Sequence, residues 1–291
     1  MIIMLLISGS IFAQSQISNL VVSVSYFINH VSQLEKLKEN LNKYKQSSVV
    51  GVSGMGKTQL ARMYAYENKD NYNIIWLIDC NLNIEPQLLK LSKTINTEVK
   101  SSVISEDMAV MKKDLMVYLV SKDKWLLVFD NLEIGENKKI EDFINWEYKG
   151  NIIFCIQDDE LLSNIIKANA FTKPEAALLA TNILENKNLE LINCLTQAFG
   201  GYPILIVQGA QILNPIQGFN LEKYKKKIKA SKDKIELNIK LVSNELKPSA
   251  KRLLDGIALL NNQSVSKELL NSMPKSLVKG RIFRNAKTIS D

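Results

Sequence analysis

GVSGMGKTQLA, residues 51–61, is the stretch on which the reading of this chain turns. It follows the run SSVV (47–50) and leads into KTQLARMYAYEN (57–68), which has the composition of a helix. Gly51, Gly56, Lys57 and Thr58 complete the pattern G-x-x-x-x-G-K-[ST]. Each position has a physical task. Gly54 and Gly56 allow the backbone to curl so that successive N–H groups face one anion. The helix that follows points its positive end and its unpaired amides at the same place. Lys57 reaches the β- and γ-phosphates of a nucleotide, and the Thr58 hydroxyl ligates Mg²⁺. A glycine turn ending a buried strand would account for the glycines but not for Lys57-Thr58. Gly51, Ser53, Gly54, Met55, Gly56, Lys57, Thr58 and Gln59 are therefore the candidate nucleotide-binding residues.

A phosphate loop needs an acid on the metal side. WLLVFDNLE (125–133) supplies Asp130 directly after an apolar run, where a Walker-B carboxylate belongs. Lys57 and Asp130 are the candidate catalytic pair, and Thr58 and Asp130 the candidate metal ligands.

Around these motifs, four short apolar runs read as strands: SSVVGV (47–52), IIWLID (74–79), WLLVFD (125–130) and NIIFCI (151–156). Each is nearly continuous in hydrophobicity, as strands covered on both faces should be. Helical stretches alternate with them: YFINHVSQLEKLKENLNKY (26–44), with Val31, Leu34, Leu37 and Leu41 on one face, then 57–68, EPQLLKLSKTI (85–95) and SEDMAVMKKDLMVYLVSKD (105–123). That alternation predicts an α/β fold, a parallel sheet with helices on both faces. Past Asp158 the pattern is helical throughout, with breaks at Gly200-Gly201 and Asn214-Pro215 and a final helix beginning near Pro248.

Composition narrows the function. The 291 residues are 46% hydrophobic and 23% charged, ordinary for globular proteins. The net charge of +7 is almost all lysine, since the only arginines are Arg62, Arg252, Arg281 and Arg284. Lysine is the less specific reader of phosphate geometry, which favours a solvated basic surface over sequence-specific nucleic-acid recognition. The lysine-rich LEKYKKKIKASKDK (221–234) interleaves only Tyr224, a poor platform for stacking bases, and reads as a solvated helix. His30 is the only histidine, which excludes Ser–His or Cys–His catalysis elsewhere and any multi-histidine metal site. Cys80, Cys155 and Cys194 give neither a disulfide framework nor a CxxC pair and read as buried thiols. Asp158, Asp159 and Glu160 read as acids at a helix start rather than a metal cluster, and Trp76, Trp125 and Trp146 as packing residues. The N-terminal MIIMLLISGSIFAQ resembles a short signal-peptide core, but no lysine or arginine precedes it and it is too short to span a bilayer. An adenine nucleotide and three free thiols point to the cytoplasm; export is the alternative if that segment is a signal.

In order along the chain, these motifs resemble the NB-ARC (AP-ATPase) domain of the STAND class of P-loop NTPases. The likeness covers about residues 26–272. GVSGMGKTQLA resembles the family P-loop, IIWLIDCN its tryptophan-bearing second strand, and LLVFDNLE the Walker B of bacterial members. GNIIFCIQDDE stands at the sensor-1 strand, FTKPEAALLA opens the first helical subdomain, and GGYPILIVQGA is similar to the GLPL motif with Pro203 as its proline. KPSAKRLLDGIALLNNQSVSKELL resembles the start of a winged helix, and FINHVSQLEKL the motif preceding the P-loop. The resemblance implies a P-loop core over 26–165, a helical subdomain over 166–235 and a partial winged helix over 236–291, behind an apolar segment at 1–25. It implies ADP or ATP with Mg²⁺ between core and helical subdomain, Pro203 near the base, self-association on exchange of ADP for ATP, and an effector protein downstream. It also implies slow, reset-only ATP hydrolysis.

The departures are specific. Gln157 stands where the family has its sensor-1 arginine, and a neutral amide offers no positive fork to a γ-phosphate. Asn131 occupies the place of a second, water-activating acid. His30 replaces an arginine, and no histidine follows for the MHD motif, so the chain resembles a truncated or degraded member. These departures favour a nucleotide-stabilised binding module without turnover. A DNA-binding regulator acting through the winged helix is the third reading.

Overall fold

The computed structural model describes residues 16–21, 28, 31–132, 140, 143, 148–157, 163–185, 187–213, 221–245, 248, 250 and 251. The strands are β1 (Ile17–Ser18), β2 (Gln46–Val50), β3 (Ile74–Asp79), β4 (Trp125–Leu132), β5 (Asn151–Ile156) and β6 (Ile165–Lys167). The helices are α1 (Val31–Tyr44), α2 (Lys57–Glu67), α3 (Ile84–Val99), α4 (Met108–Val120), α5 (Lys173–Ile183), α6 (Leu189–Phe199), α7 (Pro203–Leu213), α8 (Leu221–Ala230) and α9 (Lys234–Glu245). Among the described residues two compact units appear. Val31–Val50 and Thr58–Ile166 make up most of the first; Gly51–Lys57 and the residues from Lys167 onward make up most of the second.

The first unit is built on one sheet of six strands in the order β1-β3-β4-β5-β2-β6. Strand pairs β1–β3, β3–β4, β4–β5 and β5–β2 are all parallel, as the helix-alternating sequence predicts, with helices on both faces. The four apolar runs coincide with β2 to β5, and the central strands are buried along nearly their whole length. Phe129 stacks on Phe154 and tilts against Phe143, with ring centroids 5.6 and 5.1 Å apart. Leu37 and Leu41 of α1 are fully buried, each worth about 1.5–3 kcal/mol of transfer free energy. Val31 departs from the expected stripe: it begins the helix and is 60% exposed.

Sequence reading missed β1 and β6, because two or three residues are too few to show a period. Strand β1 is made by side chains as much as by backbone. The Asn19 amide donates to the Leu77 carbonyl and accepts from the Leu77 N–H, both at 2.8 Å. That clamp fixes the parallel register Ile17 with Ile74 and closes the free edge of β3.

Among the described residues the second unit is helical apart from its loops and Lys167, the last residue of β6. Glu175 caps α5 by accepting from the Thr172 N–H at 2.7 Å, and Asn188 caps α6 by accepting from Glu190 N–H at 2.8 Å. Gly200 ends α6 in the left-handed conformation at φ 57°. Helices α5, α6 and α7 bury Leu179, Leu195, Phe199 and Ile206 against one another, with Tyr224 of α8 fully buried beside them. The three cysteines are buried and none of them forms a disulfide. Among the described residues no helix is long and apolar enough to cross a membrane. Of the expected winged helix over 236–291, the residues from 252 onward lie outside the described residues, as do His30, Trp146 and the acidic triplet 158–160.

Candidate functional site

Strand β2 ends at Val50, and the loop from Gly51 to Gly56 carries the chain to Lys57, the first residue of α2. Gly54 and Gly56 sit at φ +83° and +88°, the left-handed region that side chains rarely enter. The two glycines are needed for different reasons. A Cβ on Gly56 would meet nothing within 4 Å, so only its backbone conformation calls for glycine. A Cβ on Gly54 would lie 2.4 Å from Cγ2 of Ile204, and the Ile204 N–H donates to the Gly54 carbonyl at 3.3 Å. At the start of the loop a Cβ on Gly51 would lie 2.8 Å from the carbonyl oxygen of Ala168. The loop thus lies close against Ala168 at one end and is hydrogen-bonded in its middle to the second residue of α7.

Lys57 is 8% exposed. Its ammonium donates to the carbonyls of Gly51 at 2.6 Å and Val52 at 3.2 Å, so the cation stays folded over its own loop. The first turn of α2 contains no acid. Nothing in that turn offsets the positive helix end and the adjoining ammonium, an arrangement suited to an anion.

The next residue faces the sheet. The Thr58 hydroxyl donates to Oδ1 of Asp130 at 2.8 Å, and the Asn131 N–H donates to the same oxygen at 3.1 Å. Asp130 lies inside β4 rather than at its end and is 7% exposed. Burial raises its pKa above the usual carboxylate value; the Thr58 hydrogen bond, the Arg62 charge and the Asn131 N–H oppose that rise, and Asp79 adds to it. Asp79 is the Cα partner of Asp130 on β3. The Asn131 amide donates to Oδ1 of Asp79 at 3.0 Å, with Asn131 itself at φ +60°. A hydroxyl and a carboxylate oxygen are the hard donors that Mg²⁺ takes alongside phosphate oxygens, so this pair fits that ion.

The remaining expected residues are placed as follows. Ser53 is exposed and Met55 is buried in the loop. Gln59 buries an Oε1 that has no hydrogen-bond partner. Pro203 opens α7 and is buried immediately before Ile204, which bonds the loop, so the proline is brought to the loop. Gln157 follows β5 and is exposed. Sequence reasoning missed Asp79, Arg62 and Ile204. Asp79 had a visible signal: IIWLID ends in an acid in the same way as WLLVFD. Arg62 stands four residues after Thr58, on the same face of α2, and buries an unpartnered Nε.

No protein-family model matches the chain, and no curated protein matches it. Solved structures do. One is a signal transduction ATPase with numerous domains (STAND) carrying a tetratricopeptide repeat sensor, from Pyrococcus horikoshii. It has a TM-score of 0.57 at 14% identity, over 86% of this chain and 37% of that one. Another is a Walker-type ATPase of Pyrococcus abyssi, with a TM-score of 0.50 at 14% identity, over 92% of this chain and 91% of that one.

This chain has the P-loop NTPase fold.

It spans a little over a third of the STAND protein, 37%, and nearly the whole length of the Walker-type ATPase, 91%. At 14% identity the likeness is one of fold.

Proposed function

We propose that the chain binds ADP or ATP with Mg²⁺ on the loop 51–58 and works as a signalling switch of the NB-ARC type. The observation that carries this reading is the 2.8 Å hydrogen bond from Thr58 to Asp130, directly after a loop with two left-handed glycines and a buried lysine. It joins the motif that holds phosphate to the acid that holds metal, which a glycine turn alone would not require. The loop N–H groups and Lys57 take the phosphates, Thr58 and Asp130 hold the cation, and Pro203 lies near the base. Bound Mg²⁺ neutralises phosphate charge. Exchange of ADP for ATP biases the chain towards a self-associating form that engages an effector protein. A ligand can do this only by binding the two forms unequally, by a few kcal/mol for a useful switch.

Hydrolysis is slow and resets the switch. A second reading, a nucleotide-stabilised module without turnover, is favoured by the exposed Gln157 and by Asn131 beside Asp130. Phosphate release separates them. Turnover that disappears in Asp130→Ala supports the switch; no release from wild type that binds MgATP supports the module. Light scattering with ADP and with ATP tests self-association: equal mass in both states would contradict the switch.

A further inference from the structure

The pair Asp79–Asn131 adjoins Asp130, and the reading above gives Asp79 no role. Its chemistry is determined by what a carboxylate lacks. A carboxylate has no proton to donate, so the Asn131 group 3.0 Å from Asp79 presents its NH₂ side to it and its carbonyl oxygen elsewhere. Asp79 is itself anchored. Its backbone N–H donates to Oε1 of Gln87 at 2.9 Å, its carbonyl accepts from the Gln87 amide at 2.8 Å, and Oδ1 also accepts from the Asn81 N–H at 3.1 Å. Asn131 is exposed, held at φ +60°, and its N–H is tied to the Asp130 carboxylate. The amide is therefore fixed at both its backbone and its NH₂, with Oδ1 left to accept a hydrogen bond.

We infer that Asp79 is a positioning residue: it locks the Asn131 amide so that Oδ1 orients the water that attacks the terminal phosphate. The inference rests on the nucleotide reading. In the reaction the water oxygen bonds to the γ-phosphorus, and the bond from that phosphorus to the bridging oxygen breaks. ADP leaves with the electron pair, and the water's proton goes to the released phosphate or to solvent. Asn131 accepts a hydrogen bond from the water and never its proton, so the acceleration is that of orientation alone. This accounts for an asparagine after the metal acid, and it supplies a slow reaction rather than none.

The test compares wild type, Asp79→Ala and Asp79→Asn, measuring MgATP affinity, single-turnover phosphate release and Tm. Asp79→Ala removes the oxygen that holds the Asn131 NH₂, so the lock is lost. Turnover should fall about tenfold to a hundredfold while affinity and Tm hold. In Asp79→Asn the Asn81 N–H keeps the new amide oxygen facing the Asn131 NH₂, and most of the rate should remain. Unchanged turnover in Asp79→Ala overturns the inference, as does an equal loss in Asp79→Asn, or a parallel loss of affinity and Tm, which marks a structural role. Wild type that binds MgATP without turnover overturns it while leaving the nucleotide reading intact; wild type that does not bind removes that reading itself.

Discussion

The backbone N–H of Ile204 donates to the carbonyl of Gly54 at 3.3 Å, and the side chain of Ile204 fills the space where a Gly54 side chain would be. The GLPL-like segment and the glycine loop are thus in direct contact, through two residues 150 positions apart in the sequence.

Substitution separates strain from contact. Gly56→Ala should cost only the left-handed backbone, about 1–2 kcal/mol. Gly54→Ala carries the same strain plus a collision with Ile204, and should be the more destabilised by calorimetry. Adding Ile204→Ala should recover part of the Gly54→Ala loss and none of the Gly56→Ala loss. Equal Tm values for the two alanine variants would contradict the contact.

Asp130 is expected to show a trade between stability and binding. Burial raises its pKa in the folded chain, so folding favours the protonated acid. Its contribution is fully present below the unfolded carboxylate pKa and is lost as pH rises through the higher folded value. In metal-free buffer Asp130→Asn removes that loss while keeping an oxygen for Thr58. Its Tm at neutral pH should match or exceed wild type by about 2–4 °C, with the gap closing in acid. Mg²⁺-dependent nucleotide affinity should fall in the same variant. Thermal melts from pH 3 to 8 check the first part and titration calorimetry the second.

The edge strand β1 is held by backbone bonds to Asn73 and Ile75 and by the Asn19 clamp on Leu77. Asn19→Ala removes both 2.8 Å bonds to Leu77 and should cost about 1–3 kcal/mol. Hydrogen exchange at the Leu77 amide should accelerate markedly, with little change at the Ile153 amide on β5. Unchanged protection at Leu77 would show that the clamp is not what holds the edge.

A buried chain of hydroxyls gives a further test. Tyr64 and Tyr72 meet at 3.0 Å, and Tyr72 donates to Asn151 Oδ1 at 3.2 Å. Tyr72→Phe leaves Asn151 Oδ1 without that donor and should destabilise by about 1–3 kcal/mol in chemical denaturation. Tyr66→Phe, at an exposed position of α2, the helix that carries Tyr64, should be neutral.

Much of the fold was legible because its signals are local. Continuous apolar runs gave β2 to β5 nearly residue for residue, and the Leu34, Leu37, Leu41 spacing gave α1. The glycine loop was legible because few other patterns place Lys-Thr after spaced glycines and before a helix. What the sequence hid is set by pairing at a distance. Ile17–Ser18 becomes a strand through bonds to Asn73, Ile75 and Leu77, more than 50 positions away, and Asp79 joins Asp130 only through strand register. Ile204 reads as one more apolar helix residue until the chain places it on Gly54. Val31 fits the helical period and is still exposed, at the first residue of α1, whereas Leu37 and Leu41 further along are buried.

The most direct measurement is titration calorimetry of MgADP and MgATP into wild type and Lys57→Ala, with the fold of both checked by circular dichroism. Saturable binding to wild type, weakened at least about tenfold (roughly 1.4 kcal/mol) in Lys57→Ala, is the expected result. No binding to folded wild type, or equal affinity in the two proteins, would contradict nucleotide binding at this loop.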